Sequence, residues 1–132
     1  MSDGLRFGDD RGSSPVEFVL VGTLLTALTL AVLQVAFAVY VRNVVHDAAV
    51  EGAYYAALAD TAPEEGIERT RDVISRTIGA AYAEDVRIGT SGSAPYDTVD
   101  VRVRTTFPLL GLIGIPLAME VEAHAPAETF GE

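Results

Sequence analysis

GSSPVEFVLVGTLLTALTLAVLQVAFAVYV, residues 12–41, is the stretch on which the reading of the whole chain turns. It opens with small residues and carries one acid, Glu17. Residues 18–41 then run without a charge, with Gln34 and a few Thr and Gly as their only polar relief. Roughly 24 residues at about 1.5 Å each reach roughly 36 Å, enough to cross a hydrocarbon core of about 30 Å with some tilt. The run reads as a membrane span. Residues 1–12 form a short polar leader before it, and everything after it has to fold on one side of a bilayer.

Composition agrees with that division. With the span set aside, roughly 90 residues remain for one small domain, near the lower edge of what a single core stabilises. The chain has no cysteine, which removes disulfide staples, thiolate metal sites and thiol nucleophiles. Nineteen acids stand against nine bases, all Arg, for a net charge of −10. Such a balance repels phosphate backbones and argues against nucleic acid as a partner of the domain. Arg6 and Arg11 beside the span favour a cytoplasmic N-terminus and an extracytoplasmic C-terminal domain in the cell membrane, a bias that Arg42 at the far end weakens.

The junction of leader and span holds the sharpest motif. Ser14, Pro15 and Glu17 have capping-box spacing, with Ser14 as N-cap, Pro15 at the first helical position and Glu17 reaching back to the Ser14 amide. The same residues fit a prepilin processing site, with Gly12 last in the leader, Ser13 as the new amino terminus and Glu17 fifth in the mature chain. Here the sequence resembles the type IV prepilins, specifically the TadE-like pseudopilins of tight-adherence (Flp) pilus assembly. RGSSPVEFVLVGTLL looks like that family's opening pattern, and HDAAVEGAYYAALAD, residues 46–60, is similar to the small-residue helix that follows its span.

The resemblance implies cleavage after Gly12 by a prepilin peptidase. It also implies partnership with other pilins, pseudopilins and pilus assembly proteins, and a pairing of Glu17 with the Ser13 amine of a neighbouring subunit. A carboxylate entering the apolar layer costs roughly 2.5 kcal/mol or more unless paired, so Glu17 is a functional suspect on physical grounds as well. Three alternatives stay open from the sequence: an uncleaved membrane-tethered binding domain, a pseudopilin of a type II-like secretion system, and an ordinary signal peptide cut after the A-x-A pattern Ala36, Phe37, Ala38. The last has an apolar region longer than a usual h-region.

Past Arg42 no Pro or turn pair interrupts the helix before Asp60, so a helical extension over residues 42–60 is expected. Ala48, Ala49, Gly52, Ala53, Ala56 and Ala57 give it a small-residue face open to another helix, to the domain's own sheet or to a second copy of the chain. Tyr40 suits an interfacial belt, and Tyr54 and Tyr55 suit core or subunit contacts. Residues 61–132 then form a small α+β domain. A second helix starts at the break over residues 60–63, capped by Thr61, which would set Pro63 at the second helical position, or by Asp60. Its apolar stripe is Ile67, Val73, Ile74, Ile78 and Tyr82, and Glu65 with Arg69 and Asp72 with Arg76 are spaced as surface pairs.

A short edge strand is expected at residues 86–88, and GTSGSAP, residues 89–95, reads as a loop. Residues 98–107 and 119–125 alternate apolar and polar. Pairing them so that Arg104 faces Glu120 also sets Arg102 opposite Glu122 and Val103 opposite Val121, so one register satisfies the charges and the apolar face together. Between them LLGLIGIPL, residues 109–117, looks too broken by Gly111, Gly114 and Pro116 for a strand. It is either buried core or a patch touching lipid or another subunit.

No catalytic constellation stands out. His46 and His124 have no ligand spacing, the serines lack a positioned base, and Glu64 with Glu65 or Asp97 with Asp100 lack a loop of regularly spaced oxygens. The expected fold is α+β, a long N-terminal transmembrane helix extending into a domain with a second amphipathic helix and a short antiparallel sheet. Neither enzyme activity, cofactor nor metal is expected.

Overall fold

A computed structural model describes residues 12–58, 60–93, 97–109 and 113–128. Its elements follow in the order α1 Ser13–Ala57, α2 Pro63–Thr77, a 3-10 turn Ala80–Tyr82, β1 Asp85–Ser91, β2 Thr98–Leu109 and β3 Ile113–Pro126. This is the α+β, pilin-like arrangement expected from the sequence. The chain divides into two compact units, Met1–Leu33 and Gln34–Glu132.

In the first unit, residues 13–33 are helical and exposed along their whole length. Their polar groups are looked after locally. Thr23 Oγ1 donates to the Val19 carbonyl at 2.7 Å, and Thr26 and Thr29 donate to the Gly22 and Leu25 carbonyls at 2.8 Å. Each hydroxyl thus finds a partner on its own helix, as an apolar solvent requires. The helix is long and apolar enough to cross a membrane.

The second unit holds the core. Val41, Val45, Ala48, Ala49, Ala53, Ala56 and Ala57 of α1 are buried in one cluster with Ile74 of α2, Val86 of β1, Val99, Val101 and Val103 of β2, and Met119, Val121, Ala123 and Ala125 of β3. The small-residue face is therefore covered by the chain's own domain and is not left open for a second copy. At its centre α1 and α2 approach through glycine. A Cβ on Gly52 would lie 1.8 Å from Thr70 Oγ1 and 2.8 Å from the Gly66 carbonyl oxygen, and one on Gly66 would lie 2.5 Å from the Ala56 Cβ.

Several sequence expectations for α2 change. Its N-cap position is Ala62, extended at φ −77° and ψ 145°, with no side-chain cap, so neither Thr61 nor Asp60 serves. Pro63 at the first turn explains this, because it fixes its own φ, lacks an amide to be capped and holds the preceding residue extended. The fully buried line is Gly66, Thr70 and Ile74, with Ile67, Val73, Ile78 and Tyr82 only partly covered at its sides. Arg69 turns away from Glu65 and forms its ion pair with Glu51 of α1, its Nε donating at 2.8 Å. Asp72 and Arg76 do pair, at 2.7 Å. Gly79, at φ 112°, ends the helix with its amide on the Ile74 carbonyl. Tyr54 and Tyr55 are exposed, not core.

The sheet is antiparallel in the order β1-β2-β3. Arg104 pairs with Glu120, Val103 with Val121 and Arg102 with Glu122, the register read from charge and alternation. β1 is longer than expected, taking in residues 89–91 of the supposed loop. The apolar connection also departs from expectation. A register shift between Thr105 and Phe107 absorbs the irregularity, after which Phe107 pairs with Ile115, Pro108 with Gly114 and Leu109 with Ile113. Residues 113–117 are thus strand despite their Gly and Pro, which a two-stranded end tolerates where its outer edges need no partner. Residues 110–112, and the burial of this stretch, lie outside the described residues.

Candidate functional site

Two surfaces carry chemistry, the start of α1 and the polar face of the sheet. At the first, Gly12 directly precedes the helix, and a Cβ built on it meets nothing within 4 Å. Ser13 is the first residue of α1, Ser14 the second and Glu17 the fifth, and all of these positions are exposed. The helix thus begins two residues earlier than an N-cap at Ser14 would set it. The Gly12–Ser13 bond sits at the start of α1. Downstream, Phe18, Val19, Leu20 and Leu24 are each at least 64% exposed, so Glu17 is the single acid at the edge of a bare apolar surface.

The second surface is built by the β2–β3 register. Arg104 Nε lies 3.1 Å from Glu120 Oε2, and Arg102 reaches Glu120 at 3.3 Å and Glu122 at 3.0 Å. One pair further, His124 Nδ1 lies 2.6 Å from Asp100 Oδ1. The sequence-level pairing stops one step short of that last contact. Alternation puts Glu122 and His124 on one face, and the same register carries Asp100 to His124. Hydrogen bonding to Asp100 raises the His124 pKa above its ordinary 6.5. The Ser91 hydroxyl first, and then His124, hold the Asp100 carboxyl below its ordinary 3.8. Glu122 raises the pKa of the Arg102 guanidinium.

Ligand atoms of Asp100, Glu122 and His124 lie within 4.8 Å of one another, close enough for a cation. Their donors are already engaged, since Arg102 holds Glu122 and His124 holds Asp100, so the set is satisfied as a cross-strand ion-pair row. His46 lies 3.8 Å from Asp47 on the surface of α1.

The geometry of α1 gives the comparison with known proteins its meaning. Residues 12–53 match the TadE-like protein family. The TadE-like segment begins at Gly12, takes in the span and ends among the small residues of α1, leaving α2 and the sheet outside it. No curated protein and no solved structure matches the chain. The TadE-like match suggests a part in tight-adherence pilus assembly, and the apolar helix fits a single-pass membrane protein.

Proposed function

We propose that the chain is a pseudopilin or minor pilin of a tight-adherence pilus, anchored by α1 and cut by a prepilin peptidase between Gly12 and Ser13. One coincidence carries the reading: the family match begins at residue 12, α1 begins at Ser13, and the bond between them is exposed. Cleavage there makes Ser13 a free amine four residues before Glu17. A neighbour's Ser13 ammonium then neutralises a carboxylate that is otherwise costly at the apolar boundary, which biases a subunit towards leaving the bilayer for the fibre. Other pilins and assembly proteins are the partners, with the leader cytoplasmic and the domain extracytoplasmic. The test is the amino-terminal residue of the membrane-extracted native protein, by intact mass. The expected start is Ser13. A start at Met1 or Ser2 overturns the processing step and leaves a tethered domain, and a start at Val39 means that the span is a removed secretory signal.

A further inference from the structure

We propose that the exposed stripe of Tyr54, Tyr55 and Leu58 near the end of α1 docks an arginine- or lysine-rich segment of another protein. The inference takes residues 18–41 as a membrane span and depends neither on cleavage at Gly12 nor on pilus assembly.

Past Tyr40, the large hydrophobic side chains that stay exposed among the described residues are Tyr54, Tyr55 and Leu58, at 58%, 40% and 44%. With Glu51 they recur at i, i+3, i+4 and i+7 and so share one face of α1, while Ala49, Gly52, Ala53 and Ala56 belong to its buried face. Lipid does not cover the stripe. Tyr54 lies about 20 Å along the helix from Val41, the last uncharged residue of the span, whereas a headgroup layer is only roughly 5–8 Å deep. Exposed tyrosines gathered on one folded face suit a protein contact, because each offers a large, stiff contact area at little entropic cost.

Tyr55 lines two grooves. One, of about 480 Å³, runs between Tyr55 and α2 and is walled by Glu64, Glu65, Glu68, Arg69 and Asp72. The other, of about 340 Å³, lies between the stripe and the end of β3, with Glu51, Pro126 and Glu128 in its walls. Six acids thus face one base. Arg69 is held by Glu51, and Asp72 holds Arg76 at 2.7 Å, so Glu64, Glu65, Glu68 and Glu128 have no cation among the described residues. Glu64 and Glu65 stand in the first turn of α2, where the helix dipole suits them, but Glu68 and Glu128 have no such reason.

Charge decides the occupant. Phosphate-bearing surfaces are repelled by this field. A second copy is unsuited as well. The chain carries −10, and Arg69, Arg76, Arg87, Arg102 and Arg104 are all engaged in ion pairs, which leaves Arg42 and Arg71 as separated cations among the described residues. A segment of another protein with several arginines or lysines supplies what the surface lacks. Its cations sit over the Tyr54 and Tyr55 rings and against Glu64, Glu68 and Glu128, and its apolar side chains cover Leu58.

The chain has no Trp, so an arginine-rich peptide carrying a single tryptophan reports its own binding. Its fluorescence anisotropy is followed against the full chain in a neutral detergent. Tyr54→Ser with Tyr55→Ser, and separately Glu64→Gln with Glu68→Gln, should each weaken binding about fivefold or more, at unchanged melting temperature because all four side chains are exposed. Asp47→Asn with Glu84→Gln removes the same charge outside both grooves and should leave the affinity within about twofold. No binding to the wild type overturns the inference, and so does equal weakening by the glutamate pair and this control pair, which would reduce the effect to net charge. Loss with the glutamate pair alone leaves a bare acidic patch and overturns the tyrosine stripe as the site. Loss with the tyrosine pair alone overturns the basic partner. Sedimentation of the chain without peptide adds one more arm: a dimer that Tyr54→Ser with Tyr55→Ser dissociates gives the face to a second copy and overturns the inference.

Discussion

A methyl group on Gly66 would meet the Ala56 Cβ at 2.5 Å and the Gly52 carbonyl oxygen at 2.8 Å, contacts that neither helix backbone can relieve by a rotamer change. Alanine gains up to about 1 kcal/mol of helix propensity over glycine, but overpacking a close contact costs about 1–3 kcal/mol, so crowding wins. Gly66→Ala should lower the melting temperature of the micelle-solubilised chain by several degrees. Gly22→Ala, with nothing within 4 Å of the added Cβ, should leave it in place. Equal melts for Gly66→Ala and the wild type would mean that the helices are not in close contact. His124 offers a second residue-scale expectation. Its folded pKa is raised by Asp100, so its contribution is complete below about pH 6.5 and is lost as pH rises through the folded value. Asp100 is shifted the other way, its contribution present above about pH 3.8 and lost as acid protonates it. With Glu122 and Arg102 facing the same pair, melting between pH 6 and 8 should decline slightly with rising pH in the wild type. It should be flatter in His124→Gln, and a wild-type profile as flat as the variant's would remove the linkage.

Elements were legible in proportion to how many independent constraints met on them. The β2–β3 register is readable because charge and apolar alternation agree at Arg104–Glu120, Arg102–Glu122 and Val103–Val121. Long uncharged helicity made α1 equally plain, with Ser13 as its first residue and Glu17 as its fifth. Where one signal acted alone it misled. Glu65 has the helical spacing for Arg69, yet α1 brings Glu51 nearer, and spacing within one helix carries no information about its neighbour. Gly66 could have been noticed, because a glycine in a helix interior is unfavourable unless something needs the space. Residues 113–117 carry turn-forming Gly and Pro, and only the partner strand reveals that they pair. The register itself is testable by exchange. Arg104→Glu sets like charges opposite Glu120 and should lower the melting temperature by a few degrees, and adding Glu120→Arg should restore most of it. Lack of recovery in the double variant would mean that the pair is not an interacting unit.

At the scale of the whole molecule, residues 13–33 present an apolar surface that the single chain leaves uncovered, with Glu17 as the acid at its edge. Lipid covers that surface in the bilayer, and neighbouring subunits would cover it in a fibre. On the proposed function the carboxylate makes the two environments unequal, because lipid offers it no counter-charge whereas a processed neighbour would offer the Ser13 ammonium. Glu17→Ala should insert as well as the wild type, since it only lengthens the apolar run. It should nevertheless reduce sheared surface pili by about tenfold or more, the factor expected when a charge pair worth about 1.4 kcal/mol or more is lost from each addition. Glu17→Gln divides the two roles of this residue. An amide at that position still reaches a helix-start backbone amide but carries no charge. If pairing is the function, Glu17→Gln fails to assemble just as Glu17→Ala does, with normal membrane recovery. Normal piliation in Glu17→Gln would assign Glu17 to helix capping, and normal piliation in both variants would remove it from assembly.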